Sequence, residues 1–417
     1  MTAVAVAETD APVRKRRKLS TPWVLIGVAA VLVLVSIVRL VSDANDITSS
    51  GTTGAALRLA VPIGMAGLGG LWAERAGVVN IGLEGQLILG TWFGAWGAYE
   101  FGAWWGVLAG IIGGALGGLV HAVATVTFGV DHIVSGVALN ILGGGVTRFL
   151  SALIFTNTPG GGVTQSPSLP RISTVTAPGS GALRTLEGKH WFVVSDIAGV
   201  LGGVVTQVSL LTIVAVLLVP ISYFLLWRTK FGLRLRACGE APGAAESLGV
   251  NVYKMKYLAV IISGGFAGLG GAFLSEVATN IYREGQTNGR GYIGLAAMIF
   301  GNWRPGGLAV GSAIFGYTDA LQLRSGGQSV HALLLLLAIV LALLGGWSLW
   351  KRRRLQGIVS LVVAVAALIW YLSSDTVPDE FVGFAPHITT LLVLALAAQR
   401  LRPPAADGKP YRRGEAG

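Results

Sequence analysis

Two short polar segments with similar sequences interrupt the apolar stretches of this chain. The first, NIGLEGQ, spans residues 80–86, and the second, NIYREGQ, spans 280–286. An Asn and a Glu at this spacing could relay a proton, bind a polar solute, or cap a helix start by accepting hydrogen bonds from its free amides. Asn80, Glu84, Asn280 and Glu284 are therefore candidates to line or gate a substrate pathway. Helix capping is the structural alternative, and both roles can coexist at helix ends in transporters.

The two polar segments belong to longer repeated stretches. AGLGGLWAERAGVVNIGLEGQ begins at Ala66, and AGLGGAFLSEVATNIYREGQ begins at Ala267. AGLGG recurs at an offset of 201 residues and the polar segment at 200, so one gap aligns them. Duplicated halves with this kind of internal similarity are common in transporters.

The composition indicates whether these segments lie in water or in a membrane. Hydrophobic residues make up 53% of the 417 residues and charged residues only 12%, whereas soluble domains carry about 25% charged residues. The 61 glycines suit close packing of helices in lipid, where small residues let backbones approach. We therefore predict an all-α polytopic membrane protein, since helices satisfy their own backbone groups in hydrocarbon.

Apolar runs long enough to cross ~30 Å of hydrocarbon predict about ten to twelve membrane helices. Starting from a cytoplasmic N-terminus, alternation of the spans places the basic clusters inside, as the positive-inside rule requires. The second and seventh helices then run in opposite directions, so helices 2–5 and 7–10 form an inverted repeat. The expected spans are 22–41, 55–73, 84–100, 103–128, 133–153, 202–227, 257–275, 292–301, 306–323, 331–350, 357–372 and 386–399.

Several classes of function find no support in the residues. The net charge of +11 comes largely from basic clusters that border apolar runs, which indicates anionic lipid headgroups and not nucleic acid. Cys238 is the single cysteine, so no internal disulfide is possible. His132 has no further ligands at metal-binding spacing, and no nucleotide-binding or hydrolase motif is present. We expect no metal, no cofactor and no enzymatic activity in this chain.

A long polar segment joins the sixth and seventh predicted helices: RTKFGLRLRACGEAPGAAESLGVNVYKMK, beginning at Arg228. Within it, GEAPGAAESLG predicts a short helix, with Pro242 in its first turn and Gly249 past its end. The basic flanks could bind lipid headgroups, or the helix could be held rigidly for a partner subunit to dock.

WAERAGVVNIGLEGQLILG and FGLRLRACGEAPGAAESLGVNVYKMKYLAV resemble the permease subunits of bacterial ABC importers for nucleosides and simple sugars. That superfamily includes the ribose and branched-chain amino-acid permeases, and the resemblance is strongest to the nucleoside branch. It implies an ATP-binding subunit, often with two domains fused in tandem, that holds ATP and Mg²⁺. It also implies a second permease subunit and a lipid-anchored solute-binding protein. Residues carried over to the ATPase-coupling loop are Gly239, Glu240, Ala244, Ala245 and Gly249.

The resemblance divides the chain into four parts. These are a basic cytoplasmic tail (1–20), the importer permease core (21–325), additional membrane helices (326–400) and a cytoplasmic tail (401–417). The implied location is a bacterial cell membrane with both termini cytoplasmic. A stand-alone secondary transporter driven by protons or sodium is the alternative, because inverted repeats and interhelical Glu residues fit it equally well. A membrane-embedded enzyme is a third class, without a catalytic constellation to support it.

Overall fold

The computed structural model describes residues 21–382 and 401–414, which are mostly helical. In the described part the only strands are β1 (Thr174–Val175) and β2 (Val208–Ser209), which pair antiparallel. The helices are α1 (Thr21–Ser42), α2 (Ser50–Arg75), α3 (Leu83–Phe101), α4 (Ala103–Ala122), α5 (His132–Ile154), α6 (Ser180–Glu187), α7 (Val194–Val205), α8 (Leu210–Arg228), α9 (Lys230–Glu240), α10 (Pro242–Ser247), α11 (Val252–Phe273), α12 (Arg290–Phe300), α13 (Pro305–Trp350), α14 (Arg354–Ser373) and α15 (Asp379–Val382).

Seven segments of the described chain are long and apolar enough to cross a membrane, which confirms the predicted all-α polytopic class. Helix α12 is shorter, with 11 residues, and the expected span 386–399 lies outside the described residues. The seven segments are Ser50–Arg75, Ala103–Thr127, His132–Ile154, Leu210–Arg228, Val252–Ala278, Gly326–Trp350 and Arg354–Ser373.

Glycines allow the central helices to touch backbone to backbone. A Cβ placed on Gly114 of α4 would lie 2.2 Å from the carbonyl oxygen of Gly264 in α11, and one on Gly264 would lie 2.3 Å from that of Gly114. Without side chains at this crossing, α4 and α11 approach closely along their length, as small residues permit in membrane proteins.

The contact between α2 and α11 shows the symmetry of the repeat. Gly69 of α2 lies against the carbonyl of Ser263, and Gly270 of α11 lies against the carbonyl of Pro62. At the repeat offset of 201 residues, Gly69 corresponds to Gly270 and Pro62 corresponds to Ser263. The contact of Gly69 with Ser263 therefore has the contact of Gly270 with Pro62 as its counterpart. This reciprocity is the mark of a two-fold relation, and it supports inverted halves because the two helices run antiparallel.

A second pair of contacts follows the same relation. Just as α4 packs against α11, the first part of α13 packs against α2, where Gly64 faces Ser312 and Gly316 lies against the backbone of Ala60. The fourth and ninth predicted spans thus occupy corresponding places in the two halves, as the inverted repeat requires.

Helix α13 is two helices separated at Gly326, whose backbone angles (φ 53°, ψ −139°) are not helical. Beyond this break the chain runs antiparallel to α14, because His331 bonds the carbonyl of Tyr371 at one end and Gly345 contacts Leu361 nearer the other. The separate spans predicted at 306–323 and 331–350 are therefore confirmed as distinct helices.

The sixth predicted span, 202–227, begins too early. The chain forms α7 up to Val205, then β2, and α8 starts only after Ser209. The side chain of Ser209 accepts a hydrogen bond from the Thr212 amide at 3.1 Å, which fixes the helix start as an N-cap. The apolar residues before it belong to α7, so hydrophobicity alone could not locate this boundary.

The molecule has two polar ends. We call the end formed by 75–79, α9, α10 and 401–414 the coupling end, and the opposite end, formed by 43–49, 155–209 and 279–288, the loop end. At the loop end a buried ion pair joins α1 to α7, with Arg39 Nε 2.9 Å from Asp196 Oδ1.

Candidate functional site

Glu84 lies at the start of α3 and is buried. Its Oε1 accepts a hydrogen bond from the Gly289 amide at 3.0 Å, and its Oε2 accepts one from the Gly291 amide at 2.6 Å. These amides belong to the first turn of α12, where unpaired N–H groups and the helix dipole favour a negative charge. Glu84 therefore caps the start of a helix in the other half of the molecule, and the beginnings of α3 and α12 lie side by side.

Asn80 ties the loop before α3 to α11. Its side chain is fully buried, and its Nδ2 donates to Gln86 Oε1 at 3.0 Å and to Ser263 Oγ at 2.8 Å. The start of α3 has its own cap, because the Gly85 amide donates to Asn140 Oδ1 at 2.7 Å. The first polar segment is thus a hydrogen-bonded junction between helices.

Two histidines complete this junction from the other side. His132 Nδ1 accepts from the Val79 amide at 3.1 Å, and His121 Nε2 lies 3.0 Å from the Val79 carbonyl oxygen. Both rings are therefore occupied by backbone contacts. Across the described residues, no group of three His, Cys, Asp or Glu side chains is arranged to hold a metal ion.

The second polar segment has a different environment. Asn280 adopts a left-handed backbone (φ 56°), and its side chain donates to the Glu276 carbonyl at 2.8 Å. Glu284 is about one-third exposed and lies 3.6 Å from Arg148. The repeat therefore preserves residue identity but not contacts: Asn80 and Glu84 lie within the helix bundle, whereas Asn280 and Glu284 lie at the loop end.

The long loop between α5 and α8 covers this second segment. The Leu169 amide donates to the Asn280 carbonyl at 2.9 Å, and the Ser166 amide donates to the Tyr282 carbonyl at 3.1 Å. The Glu284 amide in turn donates to the Thr164 carbonyl at 2.8 Å. The loop is thus joined to the second polar segment by backbone hydrogen bonds, much as an added strand would be.

At the coupling end, α10 forms where the sequence predicts a short helix. Pro242 occupies its first turn, and Gly249 follows it with a left-handed backbone (φ 81°). Pro needs no amide partner at a helix start, and Gly adopts the left-handed conformation without steric cost. The predicted helix is confirmed.

The five coupling candidates divide into packing residues and surface residues. Gly239 and Ala245 are buried, and a Cβ on Gly239 would lie 2.3 Å from the Arg75 carbonyl oxygen, so α9 rests directly on the end of α2. The surface residues, open to a docking partner, are Glu240, Ala244 and Gly249.

Sequence reasoning missed Leu248, which follows α10 and is 85% exposed. A fully exposed leucine on a polar segment is a candidate anchor for a partner protein. The spacing gave no signal for this, because Leu248 lies three residues after the buried Ala245, and residues three apart share one face of a helix. Leu248 is exposed because it lies just past the last residue of α10, Ser247.

The described part of the C-terminal tail, 401–414, lies across α9 and α10. The Ala406 amide donates to the Gly239 carbonyl at 2.9 Å, and Arg413 Nε lies 3.2 Å from Glu246 Oε1. Tyr411 packs on Tyr253 with ring centroids 5.4 Å apart. Between the tail and α10 is an open groove of about 860 Å³, so the tail forms part of the same surface as α10.

Burial raises the pKa values of two titratable groups at this end. Loss of hydration raises the pKa of the Asp407 carboxyl to about 6, with Lys256 and Arg75 partly opposing the shift. Burial also raises the pKa of the Cys238 thiol to about 11. Cys238 is fully buried and is therefore a packing residue with low reactivity.

Comparison with known proteins gives these features a context. A family model described as the permease component of the branched-chain amino acid transport system matches residues 52–344. The chain is 34% identical to the guanosine ABC transporter permease protein NupQ of Bacillus subtilis, over 87% of this chain and 96% of that protein. It is 31% identical to the nucleoside ABC transporter permease protein NupC of Lactococcus lactis, over 84% and 93%.

A sugar permease is similar over a shorter region. The putative glucose ABC transporter permease protein TsgC13 of Haloferax volcanii is 36% identical over 68% of this chain and 80% of that protein. No solved structure was found to match the chain.

Proposed function

Because the chain belongs to the family of branched-chain amino acid transport system permease components, we propose that it forms half of the translocation pathway of an ATP-driven nucleoside importer. The observation that carries the nucleoside assignment is the similarity to the guanosine permease, which extends over nearly the whole length of both proteins. The family match favours an ABC permease over the alternative of an ion-coupled secondary transporter, because it covers most of the membrane region.

Uptake by the reconstituted transporter tests this assignment. Proteoliposomes would contain this chain, its second permease and its ATP-binding subunit, with the solute-binding protein added outside. We expect ATP-dependent accumulation of labelled guanosine that survives collapse of the proton and sodium gradients. Accumulation of glucose with no accumulation of guanosine would assign the chain to the sugar carriers instead. Gradient-driven uptake without the ATP-binding subunit would reject the importer mechanism.

In the proposed importer, the ATP-binding subunit and the permeases have separate roles. ATP and Mg²⁺ bind to the partner subunit, and closure of its two nucleotide sites moves the paired permeases between outward-open and inward-open states. Such a cycle requires that nucleotide bind the two states with different free energies. A second permease of different sequence is supported by the other guanosine permease of Bacillus subtilis, NupP, which is also similar to this chain at 25% identity over 63% of it.

We assign docking of the ATP-binding subunit to the coupling end, with Glu240, Ala244, Leu248 and Gly249 at the contact. Leu248 is the apolar anchor, since burying its side chain would stabilise the complex by about 1.5–3 kcal/mol. Replacing Leu248 by Asp is expected to abolish co-purification with the ATP-binding subunit and ATP-driven uptake. Val175, an exposed apolar residue of β1 at the loop end, provides the control: Val175→Asp should leave co-purification with the ATP-binding subunit intact.

The coupling end should therefore face the cytoplasm and the loop end the outside, where a lipid-anchored binding protein would deliver the solute. Single cysteines in a Cys238→Ala background can test this orientation. Leu248→Cys in intact cells is expected to resist a membrane-impermeant maleimide, whereas Ala182→Cys on α6 should react. The reverse pattern would invert the proposed topology.

The pathway assignment of Asn80, Glu84, Asn280 and Glu284 remains a prediction. Its support is the meeting of two helix starts at Glu84, because broken helices with opposed starts are where transporters bind solutes. The exposed apolar faces of α5 and α14 are then available to lipid and to the second permease.

A further inference from the structure

A polar cavity of about 360 Å³ opens at the loop end. Arg58 of α2, Arg171 and Gln207 of the long loop, and Glu276 and Asn280 beyond α11 all line it. Its size falls at the lower end of the ~300–1,000 Å³ range of small-molecule sites. Both the loop and the second repeat segment contribute to its wall, so it lies where an arriving solute would first meet the helices.

Within the described residues, the two carboxyl oxygens of Glu276 have no hydrogen-bond partner. The residue is fully buried, and neither Oε1 nor Oε2 accepts or donates a hydrogen bond within the described chain. Buried polar groups are nearly always bonded, so an unpaired carboxyl group requires an explanation. Glu276 lies on the π-helical turn Leu274–Ala278 that extends α11, and such turns occur frequently at functional sites.

The charges around the cavity select the chemistry of a ligand. A cation would meet the guanidinium groups of Arg58 and Arg171, and an anion would be repelled by Glu276 whenever its carboxyl group is ionised. A neutral solute with both donors and acceptors can satisfy the whole set. Its adjacent donor groups would bond the two oxygens of Glu276, and its acceptors would bond the arginines and Gln207.

We propose that this cavity is an entry site for the neutral nucleoside, in which Glu276 accepts hydrogen bonds from two adjacent donors of the solute. This inference rests on the proposed function and adds to it a site and a residue. Two parts of a guanosine carry paired donors: the N1–H and N2–H edge of the base, and the 2′,3′-diol of the ribose. Both offer the same chemistry to a carboxylate, and uptake of analogues distinguishes them.

The test is uptake by the complete transporter carrying Glu276→Gln, which keeps the shape of the side chain but replaces one acceptor oxygen by a donor. We expect the maximal rate of guanosine uptake to fall at least tenfold, while basal ATP hydrolysis and thermal stability stay at wild-type levels. Glu100→Gln, on an exposed residue near the end of α3, is the matched control and should transport normally. Guanosine uptake by Glu276→Gln within twofold of wild type would overturn the proposal.

Analogues show which donors Glu276 recognises. If it reads the base, Glu276→Gln should impair uptake of guanosine and 2′,3′-dideoxyguanosine but spare adenosine. If it reads the ribose, guanosine and adenosine should be impaired and the dideoxy compound spared. An equal loss for all three, each relative to wild type, would show that Glu276 recognises neither, and would contradict the site.

A second variant covers the case in which Glu276→Gln does not fold. Arg171→Gln alters the exposed side of the same cavity and is expected to reduce guanosine uptake severalfold without loss of the folded protein. Unchanged uptake by this variant would count against the site. Wild-type protein that carries glucose but no nucleoside would instead reject the proposed function, so the two failures are distinguishable.

Discussion

At the residue scale, Glu84 shows how a carboxylate is accommodated inside an apolar bundle. A buried ion is costly unless it is fully bonded, and Glu84 receives two amide hydrogen bonds from the first turn of α12. Capping and transport need not compete, because the same contact sets where the two helix starts lie. Movement of one half of the molecule against the other would act directly on these two hydrogen bonds.

Removing this cap should destabilise the protein. Glu84→Ala leaves two buried amides unbonded, at about 1–3 kcal/mol each, and the midpoint of thermal unfolding should fall by several degrees. Because Cys238 is buried and is the only cysteine, a thiol-reactive dye reports the unfolding directly. Glu284→Gln is the control, since its ion pair with Arg148 is partly exposed and should matter little. Equal midpoints for the two variants would show that Glu84 is no cap.

The sequence could identify Glu84 as a capping candidate but not the helix that it caps. Its partner amides are 205 and 207 residues away, and local spacing contains no information about such a contact. The similarity of the two polar segments did not predict that their contacts differ, because the long loop bonds only the second segment. Glu276 was recognisable as an acidic residue in an apolar stretch, but its lack of a hydrogen-bond partner among the described residues is a property of the fold.

Cys238 should be unreactive in the folded protein. Burial excludes reagents and raises the thiol pKa to about 11, so almost no thiolate exists at pH 7.5. N-ethylmaleimide at pH 7.5 is expected to leave the folded chain unmodified, as measured by intact mass, and to modify it once in denaturant. A Leu248→Cys variant, with its exposed site, should gain one adduct without denaturant. Rapid modification of the wild-type protein would mean that α9 opens away from the end of α2.

At the element scale, docking of the tail 401–414 depends on the protonation of Asp407 as well as on backbone hydrogen bonds. A folded-state pKa above the usual carboxyl value means that docking is favoured by the protonated form. That contribution is present at low pH and is lost as pH rises through about 6. The charged or titratable groups near Asp407 are Glu74 and Arg75 of α2 and Lys256 of α11.

Hydrogen exchange of the tail amides tests this dependence. After correction for intrinsic rates, protection of 401–414 should be about tenfold greater or more at pH 5 than at pH 7.5. Asp407→Asn mimics the neutral acid, so its tail should be at least as protected at pH 7.5 as the wild-type tail is at pH 5. Asp375→Asn, on an exposed residue after α14, should behave as wild type. Protection of Asp407→Asn that still falls with pH would assign the effect to another group.

Elements were predictable where local signals define them. Pro242 and Gly249 bracket α10, and polar residues separate the two parts of α13. Boundaries fixed by tertiary contacts were not predictable: the start of α8 depends on a serine cap beside β2, and the docking of 401–414 depends on Gly239 and Glu246 far away in the chain. The composition of the tail indicates a basic segment and gives no sign that it packs on α9 and α10.

At the scale of the whole molecule, the inverted halves are joined by helices that place glycines where they cross. α2 and α11 are mostly buried, and each has the other half on two sides: α2 contacts α11 and α12, and α11 contacts α2 and α3. By contrast, α5 and α14 are mostly exposed. The closest contacts therefore lie between the two halves, and the outer faces of α5 and α14 are exposed.

Glycine at the α4–α11 crossing should be necessary for the bundle to form. In Gly114→Ala the new methyl group would lie 2.2 Å from a backbone oxygen of α11, so the helices must separate, at a cost of about 1–3 kcal/mol. Gly264→Ala at the facing position should cost about as much, since its Cβ would lie 2.3 Å from the Gly114 oxygen. Gly144→Ala on α5 meets no neighbouring atom within 4 Å and should be neutral or gain up to about 1 kcal/mol from helix propensity. Unfolding midpoints measured by dye labelling of Cys238 would rank the three variants, and a Gly114→Ala midpoint equal to that of Gly144→Ala would show that the two halves are not held by this backbone contact.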